Sequence, residues 1–309
     1  MQVREQWSLL RLPSRSLSYA TLNYIFFDMK ALVTFLLLWV MALPTCATGI
    51  LYKKTDSVRV ERIIKKASAI KSRSDVIVFI GKQLVGTPYV AHTLEQGEER
   101  LVINTSELDC TTFVENVLAM YLCVKNGKHR FADFCDYIRQ VRYDKGMVSY
   151  PSRLHYFTSW IASNTDKGLV EEVSTPTPPF SATQTISVGY MSANPDKYEA
   201  LRGNRQMVRV IAATEKSING RRYKYIPKQR LNDSRLLAKY VRSGDIIALT
   251  TNKKGLDISH VGYAVWMNGS LHLMNASSIH HKVVIEPMTM YQYAKRHPSQ
   301  TGIRVIRVL

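Results

Sequence analysis

Apolar residues recur at three- and four-residue steps between residues 58 and 85: Val60, Ile63, Ile64, Ala67 and Ile70, then Val76, Phe79, Ile80 and Leu84. That period predicts helix. Gly86-Thr87-Pro88 stops it and turns the chain, and the polar stretch Glu95 to Glu107 reads as an exposed loop. The next helix is predicted from Cys110 to Lys125, ended by Asn126-Gly127, with two more over 131–142 and 153–163. Ser174 to Ser181, STPTPPFS, cannot be regular structure because three prolines fix φ and remove donors. Beyond it the signals turn to strands. Met207 to Ala212 is β-prone, Asn219-Gly220 reads as a hairpin turn before Tyr223 to Ile226, and Gly244-Asp245 introduces Ile246 to Thr251. Ser259 to Trp266 and Ser270 to Met274 flank Met267-Asn268-Gly269, the clearest hairpin of the chain. Val283 to Ile285 and Ile303 to Val308 close the sheet. Helices first and an antiparallel sheet afterwards make an α+β layout.

The first 47 residues follow a different pattern. From Ala31 to Leu43 the chain is apolar except for Thr34, too short for a comfortable bilayer span but matching the apolar core of a secretory signal. Met29-Lys30 precedes it like a start codon with a short positive region, and Thr45-Cys46-Ala47 suits cleavage after Ala47. Residues 1–47 are therefore read as a signal peptide with an extended start, the true start being Met29, and residues 48–309 as one exported, periplasmic domain. Leu43-Pro44-Thr45-Cys46 resembles a lipoprotein box only loosely, so lipid anchoring at Cys46 is disfavoured, and no stable membrane span is expected after processing.

Composition sets the outer limits. A chain of 309 residues with 46% apolar and 21% charged side chains is neither wholly disordered nor a polytopic membrane protein, and 4 Cys do not make a disulfide-dense miniprotein. The net charge of +18 invites a nucleic-acid reading. Residues 1–47 hold four of the Lys and Arg and two of the Asp and Glu, so the remainder keeps +16. The basic character thus belongs to an exported body, for which nucleic acid is not the expected partner. Three cysteines remain there, Cys110, Cys123 and Cys135. An odd count in an oxidising compartment leaves at least one free thiol.

Cys110 has the surroundings a reactive thiol needs. The helix stripe Phe113, Val114, Val117, Leu118, Tyr121 and Leu122 spans about 180°, Cys110 lies about 30° from its centre, and Cys123 falls on the opposite face. At the helix start, the free amides and positive dipole end are expected to lower the thiol pKa. A catalytic thiolate needs a base, and a group that orients that base. If Asn268 and Gly269 form a two-residue turn, Asn275 falls opposite Gly262 and His260 opposite Ser277. His260 and Asn275 then share a sheet face as diagonal neighbours, about 7–8 Å apart at Cα. Gly262 removes a side chain that would crowd Asn275, and Asn275 can fix the His260 tautomer, in the Cys–His–Asn manner. No metal or other cofactor is expected, because H-E-x-x-H is absent and His280-His281, adjacent on an expected strand, would point to opposite faces.

Four ordered segments, Gly86-Thr87-Pro88-Tyr89-Val90, Leu108-Asp109-Cys110-Thr111-Thr112-Phe113, Ile258-Ser259-His260-Val261-Gly262-Tyr263 and Leu273-Met274-Asn275-Ala276-Ser277-Ser278, resemble the motifs of the NlpC-type cell-wall amidases. Tyr225-Ile226-Pro227-Lys228, Gly244-Asp245-Ile246-Ile247 and Lys254 to His260 resemble more closely a branch once catalogued as a domain of unknown function, whose activity is N-acetylmuramoyl-L-alanine amidase on anhydromuramyl peptides. The resemblance covers roughly residues 60–309. It implies a papain-like fold, N-terminal helices packed on an antiparallel sheet or half-barrel, with Cys110 as nucleophile, His260 as base and Asn275 as orienting residue. Many relatives place a second His where Asn275 stands. Tyr89 matches a tyrosine lining the family's active site, with Asp109 and Ser277 as further substrate contacts and Asp109 also a candidate helix cap. Residues 130–243 are extra to a minimal core and could wall the cleft and read a sugar, with Glu215, Arg221, Arg222 and Lys228 as polar candidates. The implied partner is a muropeptide, and the expected state is a monomer. Two rivals are an NlpC-type endopeptidase cutting after γ-D-glutamate, and a non-catalytic basic module that binds wall polymer.

Overall fold

The computed structural model describes residues 49–95 and 97–309. The signal-peptide reading of residues 1–47, with Met29 and Cys46, lies outside the described residues.

The first helical pattern resolves into two helices, α1 (Lys54–Ala67) and α2 (Arg73–Gln83), parted by a turn at residues 68–72. Asp56 anchors the start of α1: one carboxylate oxygen accepts from the Lys53 N–H at 3.0 Å, the other from the Thr105 N–H at 2.9 Å and hydroxyl at 2.7 Å. Helix α3 (Cys110–Lys125) departs from the single-stripe expectation, since every residue from Thr112 to Cys123 is buried. A helix apolar all round belongs inside the molecule. Its one buried carboxylate, Glu115, meets Arg142 at 2.7 Å on the next helix, α4 (Phe131–Arg142), where both charges are hidden from water. Cys123 and Cys135 lie close together between these helices as free, buried thiols.

The expected helix at 153–163 is displaced to α5 (Phe157–Asp166), and a short 3₁₀ turn precedes it at Tyr150–Ser152. Then come β1 (Val170–Val173), β2 (Ala182–Thr185), α6 (Tyr190–Ala193) and α7 (Arg205–Ile218). Met207 to Ala212 is therefore helix, not strand. Its β-branched residues suggested a strand, but Asn204 caps it by accepting from the Met207 N–H at 3.0 Å, and Ile211, Glu215 and Ile218 are buried at helical spacing. Asn219-Gly220 is likewise no hairpin turn. It joins α7 to β3 (Arg222–Pro227), and the Asn219 amide bonds both main-chain groups of Val188, at 2.7 and 2.9 Å.

The chain continues through α8 (Ser234–Leu237), β4 (Ile246–Thr251), β5 (Ile258–Met267), β6 (Ser270–Ser277), β7 (Lys282–Ile285), α9 (Met290–Lys295) and β8 (Gln300–Val308). Among the described residues the sheet runs in the order β2-β3-β8-β4-β5-β6-β7, with β1 also on β8 and every pairing antiparallel. Strand alternation sorts the core into two layers. Ile246, Ala248, Val261, Tyr263 and Ile306 pack with α1–α4, whereas Ile247, Leu249, Ala264, Ile303 and Val305 face α8 and α9. A third, smaller core, holding Tyr150, Tyr156, Val188, Met191, Leu201 and Ile211, lies wholly within residues 130–243. The α+β expectation holds. Between residues 130 and 243, where strands were expected at 207–212 and 223–226, the sheet instead receives β1, β2 and β3, of which β3 covers Tyr223 to Ile226.

Candidate active site

Cys110 is the first residue of α3, and the local sequence accounts for its position. Asp109 is the N-cap: its carboxylate accepts from the Thr112 N–H at 2.8 Å, while its own N–H donates to the Thr112 hydroxyl at 2.9 Å. On the facing hairpin, Asn268 (φ 49°) and Gly269 (φ 74°) both take the left-handed conformation of a tight two-residue turn. The register from Met267↔Ser270 to Tyr263↔Met274 is the one that turn dictates. Carried one pair further, it sets Asn275 across from Gly262, and His260 Nε2 lies 2.8 Å from Asn275 Oδ1. A Cβ at position 262 would sit 2.6 Å from the Met274 carbonyl oxygen and 2.9 Å from the Asn275 Cβ, so only glycine fits there.

Cys110 and His260 open onto one cleft of about 200 Å³, whose other walls include Tyr156, Tyr190, Tyr198 and Asp257. Burial pushes the Cys110 thiol up to about 12, and the neighbouring Asp109 adds to this. The Val261 N–H, the Thr111 hydroxyl and the Thr111 N–H favour the thiolate without overcoming these effects. The direction is opposite to the lowering expected at a helix start, because desolvation outweighs the hydrogen bonds that favour the thiolate. Burial also holds His260 below its ordinary value, against the opposing pull of Asn275 and Glu286. At neutral pH both partners are uncharged.

The other predicted residues fall into place unevenly. Tyr89 is half-buried beside Cys110 and Asp109, and burial followed by those two charges raises its phenol to about 12. It lines a second pocket of about 340 Å³ with Asp109, Thr111, Arg153 and His155, adjoining the first at Thr111 and Leu154. Ser277 is buried away from both pockets, and its hydroxyl accepts from the His280 N–H at 3.3 Å. It is a turn cap apart from these two pockets, where the sequence suggested a substrate contact. His280 and His281 are not on a strand either. They lie in the turn before β7, where His281 has φ 53°. Glu215 is buried and braces the cleft wall, accepting from the Tyr156 hydroxyl at 2.6 Å, the Ser192 N–H at 3.2 Å and the Ser192 hydroxyl.

Several residues at the site escaped sequence reasoning. Glu286, just beyond β7, is buried, with Oε1 3.1 Å from Asn275 Nδ2 and Oε2 3.1 Å from His280 Nε2. The Tyr293 ring lies over His260 with centroids 6.5 Å apart. Asp257, inside the noted Lys254 to His260 segment, accepts from the Thr158 N–H at 2.6 Å and so ties α5 to the cleft. The insertion tyrosines carried one usable signal, their density between positions 150 and 198.

The sequence profile described as N-acetylmuramoyl-L-alanine amidase-like (AmiA-like) matches residues 79–303. The chain belongs to that family. It is similar to a solved structure named an N-acetylmuramoyl-L-alanine amidase from Bacteroides uniformis, with 36% identity, a TM-score of 0.70, and coverage of 81% of this chain and 99% of that one. A Bacteroides fragilis structure provisionally named a xylanase is 42% identical, with a TM-score of 0.69 and coverage of 74% and 99%. A Legionella pneumophila protein shares the fold at 22% identity and a TM-score of 0.65, covering 83% of this chain and 95% of its own. No curated protein matched the sequence.

Proposed function

We propose that this member of the family is an exported cysteine amidase of papain-like, NlpC type that splits the bond between N-acetylmuramic acid, in its 1,6-anhydro form, and L-alanine in soluble cell-wall fragments. The observation that carries the reading is the opening of Cys110 and His260 onto one cleft, with Asn275 hydrogen-bonded to His260 behind it. Cys110 Sγ attacks the amide carbonyl carbon as its proton passes to the imidazole, so charge develops only during attack. The Cys110 N–H at the start of α3 holds the oxyanion. The imidazolium then protonates the departing alanine nitrogen, leaving a thioester on sulfur. His260 next takes a proton from water, which adds to the thioester and frees the muramic carboxylate and the thiol.

Glycoside hydrolysis calls for two carboxyl groups flanking the scissile bond. Among the described residues lining the cleft, Asp257 is the one carboxylate, and it is engaged by the Thr158 N–H. That disfavours the xylanase chemistry of the Bacteroides fragilis name. On the far side of the Leu154–Tyr156 wall, a larger cavity of about 560 Å³ is lined by Ser149, Ser159, Ser163, Thr214 and Ser217, a hydroxyl-rich surface suited to a sugar. The pocket beside Asp109 and Arg153 is charged and suits a peptide. Incubation with anhydrodisaccharide-tetrapeptide, followed by mass analysis, tests the proposal. Free disaccharide and intact tetrapeptide are expected; a shortened stem still on the sugar would establish the endopeptidase instead.

A further inference from the structure

We infer that Glu286 is a positioning residue that selects which His260 ring nitrogen acts as the base, by fixing the orientation of the Asn275 amide between them. A primary amide has nearly the same shape in both of its flipped orientations, so packing alone does not choose between them. An ionised carboxylate chooses, because it only accepts. Glu286 Oε1, 3.1 Å from Asn275, therefore requires the Nδ2 side and turns Oδ1 towards His260. Oδ1 in turn only accepts, so neutral His260 must carry its proton on Nε2. Nδ1 is then free to take the thiol proton. With the amide reversed, the proton would sit on Nδ1 and the imidazole would have no lone pair to offer the thiol.

The carboxylate has little freedom to drift. The Glu286 N–H donates to the Leu273 carbonyl at 2.8 Å, and the Glu286 carbonyl accepts from His272 Nδ1 at 3.0 Å, so both main-chain groups are tied to β6. Its second oxygen is held by His280 Nε2, whose side chain is 36% exposed, while the Glu286 side chain is 1% exposed. The titratable groups around the carboxylate are His280 and His272, together with Tyr293 and His260, on which its charge acts, and His297, whose ring is tilted against Tyr293 with centroids 4.3 Å apart. This arrangement extends the Cys–His–Asn series by one member that hydrogen-bonds neither Cys110 nor His260.

The catalytic consequence rests on the cysteine-amidase reading, but the test reads the imidazole directly. In histidine-labelled wild-type protein above pH 7, nitrogen NMR should show neutral His260 protonated at Nε2. Glu286→Gln, whose amide can donate as well as accept, should populate both tautomers. Alkylation of Cys110 by iodoacetamide at pH 7 should slow in proportion to the loss of the Nε2-protonated tautomer, by about twofold for an even mixture. The alkaline rise of that rate, driven by hydroxide, should be unchanged. Should Glu286→Gln fail to fold, Glu286→Asp withdraws the carboxylate by one methylene and the same two readings apply. A wild type protonated at Nδ1, or a folded variant with an unchanged tautomer and alkylation profile, overturns the inference. A wild type with the expected tautomer but no release of tetrapeptide supports the role of Glu286 and removes the amidase reading.

Discussion

The two walls of the cleft are built in different ways. One consists of α3 and the β5–β6 hairpin, regular elements with buried middles that carry Cys110, His260 and Asn275. The other comes from residues 154–198: Leu154 to Phe157, Tyr190-Met191 and Tyr198, set on turns and short helices over a small separate core. Hydrogen bonds between a nucleophile, a base and its orienting group need placement to a fraction of an ångström, and continuous secondary structure supplies it. A recognition surface tolerates looser construction and can be varied without disturbing the other wall. The expectation is that damage to the first wall removes chemistry or stability, whereas damage to the second shifts substrate affinity.

The largest effect should come from Cys110→Ala, with product release falling at least about 10³-fold while the melting temperature stays near that of the parent. Appreciable residual turnover would dissociate the thiol wall from the chemistry. Glu115→Ala should come next. It strands the Arg142 guanidinium in the interior beneath the first wall, at a cost of about 3–5 kcal/mol measurable by urea unfolding. Gly262→Ala should cost about 1–3 kcal/mol and also lower kcat, because the added methyl collides with the Met274 carbonyl and displaces Asn275.

The pH dependence of stability probes the second wall. His155 donates to the Tyr150 carbonyl at 2.8 Å, and burial followed by the Arg153 charge lowers its pKa from 6.5 to about 3. Its folded-state pKa lies below the unfolded one, so the unfolded chain takes up the proton first. Stability should therefore fall as pH drops from 6.5 towards 3, and His155→Gln should flatten that fall in acid-unfolding curves. The smallest effect is expected from Tyr198→Ala, an increase in KM of about fivefold, or ~1 kcal/mol, with kcat nearly unchanged. A large loss of kcat there would erase the distinction between the walls.

The same division explains what could be read from the chain. The β5–β6 hairpin was legible because Asn268-Gly269 fixes the turn, the turn fixes the register, and the register sets His260 beside Asn275. Cys110 was legible from the odd cysteine count and its place at the start of an apolar-striped helix, a start that the Asp109–Thr112 cap fixes. Glu286 was not, since it reaches Asn275 across a turn and a further strand, beyond the range of any local pattern. Nor was the raised thiol pKa, which depends on burial by distant segments rather than on the helix end alone. The insertion was misread where β-branched residues at 208–211 outweighed the helical spacing of Ile211 and Ile218, whose burial is set by tertiary contacts.

The Tyr263 hydroxyl donates to the Val114 carbonyl at 2.9 Å, and its ring meets Phe113 edge-on with centroids 6.0 Å apart. This strut links the helix that begins with Cys110 to the strand that carries His260, two elements far apart in the chain. It works as a gauge block. The spacing between sulfur and imidazole is set from the interior side, by groups that no substrate touches. Insertions between Cys110 and His260 can therefore lengthen, shorten or change partners while the working distance is inherited unchanged, and new specificities can arise without rebuilding the reaction centre.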